Sequence, residues 1–185
     1  MDQIAVLPGD GIGREIIPVA VQIMKQTADL FRFNLQIEHG LISEDAYTRE
    51  GHPLPPSTLA LCQNSVAVLL GAVGSPQMDR LPPELRPERA ALLPLRKILG
   101  LYANFRPIKV FPELIPASPL KKEIIANVDL VVIRELTGGL YFGEKTRVKT
   151  AEGEEVATDL LSYSTGEIRR ILHFAFAVAR RRRCK

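Results

Sequence analysis

A short apolar strand that breaks into a glycine turn and leaves it as a helix constrains this chain more than any other stretch. Ile4, Ala5, Val6 and Leu7 read as the strand, and Pro8-Gly9-Asp10-Gly11-Ile12-Gly13 ends it. Residues 15–30 then carry helical spacing through Ile16, Val19, Ala20, Ile23 and Met24. The pattern recurs in looser form. Residues 33–38 read as a second strand, 44–50 as a helical turn, and Pro53, Pro55 and Pro56 punctuate the chain before another short helix. Residues 65–70 form a near-continuous apolar run, as expected of a parallel strand buried on both faces. Strands alternating with helices predict an α/β domain around a mostly parallel sheet.

Beyond Gly71 the texture changes. Gly74, Pro76, Pro82, Pro83 and Pro87 are too dense for a helix or a regular strand, which predicts a long loop. A helix over 90–99 stops at Gly100, and 101–110 reads as a strand crossing into a second domain. A further buried strand over 128–133 runs into Arg134-Glu135, Gly138-Gly139 supplies a turn, and Leu140-Tyr141-Phe142 is expected to continue extended. Ser164 and Glu167 have capping-box spacing, and Ile168, Ile171, Leu172, Ala175 and Ala179 follow on one helical face that wants a partner. A chain of 185 residues can bury one sizeable core or two small ones.

Charge and cysteine usage exclude several classes. The net charge of +3 comes from 24 basic against 21 acidic residues, but Arg180, Arg181, Arg182, Arg183 and Lys185 crowd the last six positions. Without those five the balance is 19 against 21, so no basic surface for nucleic acid is indicated. Four arginines after a helix read either as its dipole-compensating end or as a phosphate-binding tail. Cys62 and Cys184 form no disulfide framework and no metal-ligand cluster, and are expected to be free thiols in a reducing cytoplasm. No leader pattern opens the chain, and its longest apolar run, near 66–73, falls far short of the ~20 residues of a membrane span.

Several residues could carry chemistry. The glycine turn has the spacing G-x-G-x-G rather than that of the dinucleotide fingerprint, so a tight turn that lets helix and strand approach closely competes with a phosphate site. Arg96, Arg106 and Arg134 each end an apolar element; converging, they would bind a di- or tricarboxylate, and singly they are solvated or paired caps. Tyr141 reads as a half-buried sheet aromatic or as a proton donor. His39, His52 and His173 are scattered, and no carboxylate cluster has metal-site spacing.

Five blocks in order resemble the isocitrate/isopropylmalate dehydrogenase family. They are Val6-Leu7-Pro8-Gly9-Asp10-Gly11-Ile12-Gly13, Leu70-Gly71-Ala72-Val73-Gly74-Ser75-Pro76, Leu92-Leu93-Pro94-Leu95-Arg96-Lys97, Tyr102-Ala103-Asn104-Phe105-Arg106-Pro107, and Val132-Ile133-Arg134-Glu135-Leu136-Thr137-Gly138-Gly139-Leu140-Tyr141-Phe142-Gly143. The resemblance implies a two-domain α/β fold that is not a Rossmann fold. Residues 1–101 would form the N-terminal part of the large domain. Residues 102–185 would form part of the small central domain, including an arm near 136–159 through which a homodimer pairs. It also implies β-decarboxylating oxidation of a malate with NAD and Mg²⁺ or Mn²⁺. Arg96, Arg106 and Arg134 would bind substrate carboxylates, Tyr141 would return a proton, and Ile12, Ser75, Pro76 and Glu88 would line the cofactor.

Isocitrate members of the family place a serine and an asparagine six and four residues before the first substrate arginine, where this chain has Ala90 and Leu92. An apolar Leu92, one helical turn before Arg96, suits an isopropyl group and would leave a third carboxylate unpaired, a mismatch of roughly 1–3 kcal/mol or more. The resemblance thus favours conversion of (2R,3S)-3-isopropylmalate to 2-oxoisocaproate in leucine biosynthesis. Tartrate, D-malate or homoisocitrate chemistry stands as an alternative, as does a non-enzymatic remnant with a basic tail. Arg14 and Met78 depart from the family's usual proline and tryptophan. The family's catalytic lysine, metal aspartates and adenosine site are expected beyond Lys185, so the chain is expected to hold no metal ligand and to be inactive alone.

Overall fold

The computed structural model describes residues 2–183; the thiol of Cys184 and the last charge of the basic run, Lys185, lie outside them. The chain divides into two compact units, Met1–Leu99 and Gly100–Lys185.

In the first unit, β1 (Asp2–Gly9), α1 (Gly13–Phe31), β2 (Leu35–His39), α2 (Glu44–Glu50), α3 (Pro56–Asn64) and β3 (Ala67–Ala72) build a parallel sheet of order β2-β1-β3. Side chains alternate across β1, so Ala5 and Leu7 join Ile42, Leu54 and Leu95 on one face, while Val6 meets Ile17 and Val21 of α1 on the other. Burying both faces of the central strand accounts for its unbroken apolar run. β3 departs from the expectation of full burial: Val66, just before it, is 67% exposed and Leu70 36%, because β3 stands at the edge of these three strands. Cys62 is buried on α3, where desolvation pushes its thiol pKa up and keeps it inert.

The glycine turn decides how α1 lies. A Cβ at Gly9, where φ is +72°, would stand 1.9 Å from the carbonyl oxygen of Ala72, and one at Gly13 would stand 2.1 Å from that of Pro8. Only glycine permits both approaches, as the close-packing reading of the turn expects. With Gly13 pressed onto the strands, the positions four and eight further on, Ile17 and Val21, face the sheet. Ile16, Val19 and Ile23, read from the sequence as the apolar stripe, are instead about half exposed.

After β3 the proline-rich stretch folds as single 3₁₀ turns at Met78–Arg80 and Pro83–Leu85, then a π-helical turn at Glu88–Leu92 that runs into α4 (Leu93–Ile98). The loop is therefore a series of local turns, within which Met78 is buried.

The second unit holds β4 (Ala103–Lys109), α5 (Lys122–Ile125), β5 (Asp129–Glu135), an exposed hairpin of β6 (Lys145–Lys149) and β7 (Glu155–Asp159), and α6 (Thr165–Arg181). β4 and β5 pair antiparallel, Asn104 opposite Arg134 and Arg106 opposite Val132. α6 starts at the expected capping box, with the Glu167 amide donating to Ser164 Oγ at 3.2 Å and the Ser164 amide to Glu167 Oε2 at 2.7 Å. Its Phe174 packs edge-on against Tyr102 and Phe105.

Two expectations fail here. β5 is not buried, since only one of its faces meets α6 and Leu130 and Val132 on the other are nearly half exposed. Tyr141 does not continue a strand, because Gly139 at φ +72° turns the chain into a 3₁₀ turn, Gly139–Tyr141. Much of the apolar face of α6 stays open, with Phe176 68% exposed. The basic run folds back: Arg182 and Arg183 both bind Asp129, and the Arg182 hydrogen bond chiefly holds that carboxyl below its usual range. No helix among the described residues is long and apolar enough to cross a membrane.

Candidate active site

Candidate residues of the first unit gather at the carboxyl ends of its parallel strands, where open α/β sheets bind ligands. Ile12 follows β1; Ser75, Pro76 and Glu88 follow β3; and β1 and β3 are neighbours. Asp10 joins these loops. Its carboxylate, 1% exposed, accepts hydrogen bonds from Ser43 Oγ at 2.5 Å, the Glu44 amide at 3.0 Å and the Gly74 amide at 2.7 Å. Ser43 is held at φ +62°, a backbone conformation costing about 1–3 kcal/mol in a non-glycine residue, and its place against Asp10 offsets that strain. Sequence reading passed over Asp10 as one letter of a glycine turn.

The loop past Gly74 returns to its start. A Cβ on Gly74 would lie 3.6 Å from Glu88 Oε1, so the Glu88 carboxylate reaches back over the residue before Ser75. Ser75 Oγ accepts from the Met78 amide at 3.3 Å, which fixes the first turn of the loop. Ile12 and Pro76 are exposed. Glu88 is exposed as well, and Ser75 is partly buried. Arg14 pairs with Asp45 at 3.1 Å on the surface, and such a pair contributes roughly 0–1 kcal/mol.

Leu92 closes the π turn and Arg96 follows it one α-helical turn later, both partly buried. π turns are rare and recur at functional sites. Ala90, at the other position that argues against a third carboxylate, is buried.

In the second unit, Arg106 and Arg134 are diagonal neighbours across β4 and β5, on the same face, at a spacing of roughly 7–8 Å between backbones. Both are exposed. Arg134 Nη2 donates to the Tyr141 hydroxyl at 2.7 Å, and its guanidinium carbon lies 5.2 Å from the ring centre. Arg134 does not pair with Glu135, because adjacent strand residues point to opposite faces. Glu135 turns under the sheet, where it accepts from the Thr137 and Gly138 amides at 2.8 Å each, from Thr137 Oγ at 2.5 Å and from Arg170 at 3.1 Å. Desolvation raises its pKa, but these hydrogen bonds outweigh it and hold the carboxyl below the ordinary glutamate range. Nothing in the spacing of the sequence pointed to Arg170, 35 residues away.

The structure therefore brings Arg134 to Tyr141 and sets Arg106 on their face, while Arg96 and Leu92 belong to the first unit. Among the described residues no group of three or more His, Cys, Asp or Glu side chains could hold a metal ion. An apolar groove of about 600 Å³ between β5 and α6, lined by Val131, Leu172 and Phe176 among others, contains none of the candidate residues.

Comparison with known proteins adds a family to this geometry. A model of isocitrate/isopropylmalate dehydrogenases matches residues 3–185. The chain is 55% identical over 184 residues to a 3-isopropylmalate dehydrogenase of Moorella thermoacetica, covering 100% of this chain and 51% of the relative. With the enzyme of that name from Bacillus subtilis it shares 50% identity over 184 residues, 99% of this chain and 50% of the relative. The chain spans about half the length of the curated relatives it matches. An isocitrate dehydrogenase structure from Methylococcus capsulatus aligns with a TM-score of 0.78 at 30% identity, over 99% of this chain and 49% of that one. A β-decarboxylating dehydrogenase from Thermococcus kodakarensis aligns at 0.67 and 32% identity, over 98% of this chain and 46% of that one. The α/β fold is of the type the sequence resemblance implies.

Proposed function

The chain belongs to the isocitrate/isopropylmalate dehydrogenase family, and from that premise we propose that it supplies the substrate-binding arginines and the proton-donating tyrosine of a 3-isopropylmalate dehydrogenase. The observation that carries this reading is the Arg134–Tyr141 hydrogen bond on an open sheet face shared with Arg106. A guanidinium there binds a carboxylate through paired N–H groups and holds the phenol beside the carbon that loses CO₂. Arg96 adds a further carboxylate contact, and Leu92 offers an apolar wall to the isopropyl group.

In this reading 3-isopropylmalate is oxidised at C2, loses its carboxylate as CO₂, and the resulting enol takes a proton at C3 from Tyr141, leaving 2-oxoisocaproate. Ile12, Ser75, Pro76 and Glu88 would hold NAD, which would supply a hydride acceptor for the oxidation at C2. The divalent ion of the reaction, Mg²⁺ or Mn²⁺, finds no group of three ligands among the described residues. The exposed β6–β7 hairpin is the arm of a homodimer in this reading. The activity belongs to leucine synthesis in the cytoplasm.

The test joins residues 1–185 in frame to the second half of the Moorella relative and follows NADH formation with 3-isopropylmalate, isocitrate, D-malate and tartrate. The expected result is turnover with 3-isopropylmalate at the highest kcat/KM and little with the others. A preference for isocitrate, D-malate or tartrate would overturn the substrate assignment, and turnover unchanged by Arg134→Ala would overturn the site.

A further inference from the structure

We infer that Glu135 is a positioning residue for Tyr141, acting through the turn that connects them and fixed by the Arg170 guanidinium on the far side of the sheet. The inference rests on Tyr141 as the proton donor for its consequence, but its geometry stands by itself. A carboxylate can accept about four hydrogen bonds, and Glu135 receives four: two from the amides of Thr137 and Gly138, one from Thr137 Oγ and one from Arg170. The group is almost fully enclosed, its side chain 8% exposed. A carboxylate satisfied in this way in low dielectric is stiff, and displacing any one donor leaves a buried charge short of a partner.

What this carboxylate stiffens is the chain between the two reacting side chains. Arg134 precedes Glu135 and points to the other face; Thr137 and Gly138 start the bend; Gly139–Tyr141 is the 3₁₀ turn that carries the phenol back to Arg134. The Gly139 amide donates to the Ser162 carbonyl at 2.9 Å, and a Cβ on Gly139 would fall 2.3 Å from the Tyr163 hydroxyl oxygen, so the segment leading into α6 closes on the bend as well. Arg170 completes the arrangement. It donates both to Glu135 and to Thr137 Oγ, and it stacks 4.9 Å over the ring of Tyr102, which leads into β4. One guanidinium thus ties α6, the start of β4 and the bend together, and the phenol position is set on the far face.

The experiment is ¹³C NMR of the chain labelled at tyrosine Cζ. It has four tyrosines, Tyr47, Tyr102, Tyr141 and Tyr163, and Tyr141→Phe assigns the resonance of interest. Glu135→Gln and Thr137→Val are each expected to displace the Tyr141 resonance by more than its linewidth while that of Tyr47, in the other unit, stays put. Thr137→Ser, which keeps the hydroxyl, is expected to restore it. If Glu135 served stability alone, these variants would melt earlier but show the native Tyr141 resonance below the transition, and that result would overturn the inference. Should Glu135→Gln not fold, the Thr137 pair decides. Failure of the functional reading is visible separately: Tyr141→Phe retaining full turnover in the joined enzyme would remove the proton donor and leave the NMR result standing.

Discussion

Arg134 and Tyr141 are seven residues apart in the chain and in contact in space, the guanidinium donating to the phenol oxygen at 2.7 Å. The pairing gives the arginine two duties, and Arg134→Lys separates them. Lysine keeps the charge but loses the planar fork. In the joined enzyme this variant should raise KM for 3-isopropylmalate by roughly 10- to 100-fold, the equivalent of about 1.5–3 kcal/mol for a hydrogen bond to a charged group. An unchanged KM would mean that no substrate carboxylate sits at Arg134.

Leu92 tests specificity. Leu92→Asn places an amide one turn before Arg96, where a third carboxylate would need a donor. The ratio of kcat/KM for isocitrate to that for 3-isopropylmalate should rise by about 10-fold or more, since a polar group that satisfies or strands a partner is worth on the order of 1–3 kcal/mol. Competition kinetics with both substrates reads the ratio directly.

Asp10 should matter for order at the strand ends. Asp10→Ala withdraws the acceptor from three donors and is expected to cost at least about 1–3 kcal/mol in denaturant unfolding. It should also abolish hydrogen-exchange protection of the Gly74 amide, while Asp10→Asn keeps part of both. Protection of Gly74 equal to that of the parent would show that the loop holds without Asp10.

Acid should loosen the second unit through Glu135. Its pKa is lowered in the folded chain, so the pairing stabilises fully above the ordinary glutamate value of about 4.3 and is lost as pH falls through the lowered one. Thermal melts between pH 7 and pH 3 should show a fall in Tm confined to the acid end, and Glu135→Gln should flatten it. An equal fall in that variant would assign the acid sensitivity to other groups.

Much of this architecture was legible in the residues. The strand, glycine turn and helix at the start, the capping box at Ser164 and the breaks at proline are local signals, and the fold follows them. Periodicity showed that α1 is amphipathic but not which stripe lies inward, because Ile16-Val19-Ile23 and Ile17-Val21 are both apolar; the close approach at Gly13 decides between them. The apolar neighbours of Tyr141 predict an extended segment, whereas the positive φ of Gly139 sets the turn. Asp10 and the Glu135–Arg170 pair escaped the sequence reading for a common reason. Their partners come from other elements, 33 to 64 residues away for Asp10 Oδ2 and 35 for Glu135, and no local pattern encodes such meetings.

The π turn at Glu88–Leu92 makes this stretch sensitive to chain length rather than to composition. The Leu93 amide reaches back to the Glu88 carbonyl, five residues instead of four, so the segment carries one residue more than an α-helix would. Each residue of an α-helix turns the chain by about 100°. Deleting a single residue there would restore α-helical phase and swing Glu88 around the axis relative to Arg96, with helix content nearly unchanged. A one-residue insertion or deletion at this place is therefore expected to displace Glu88 from Arg96 where an exchange of side chain would not.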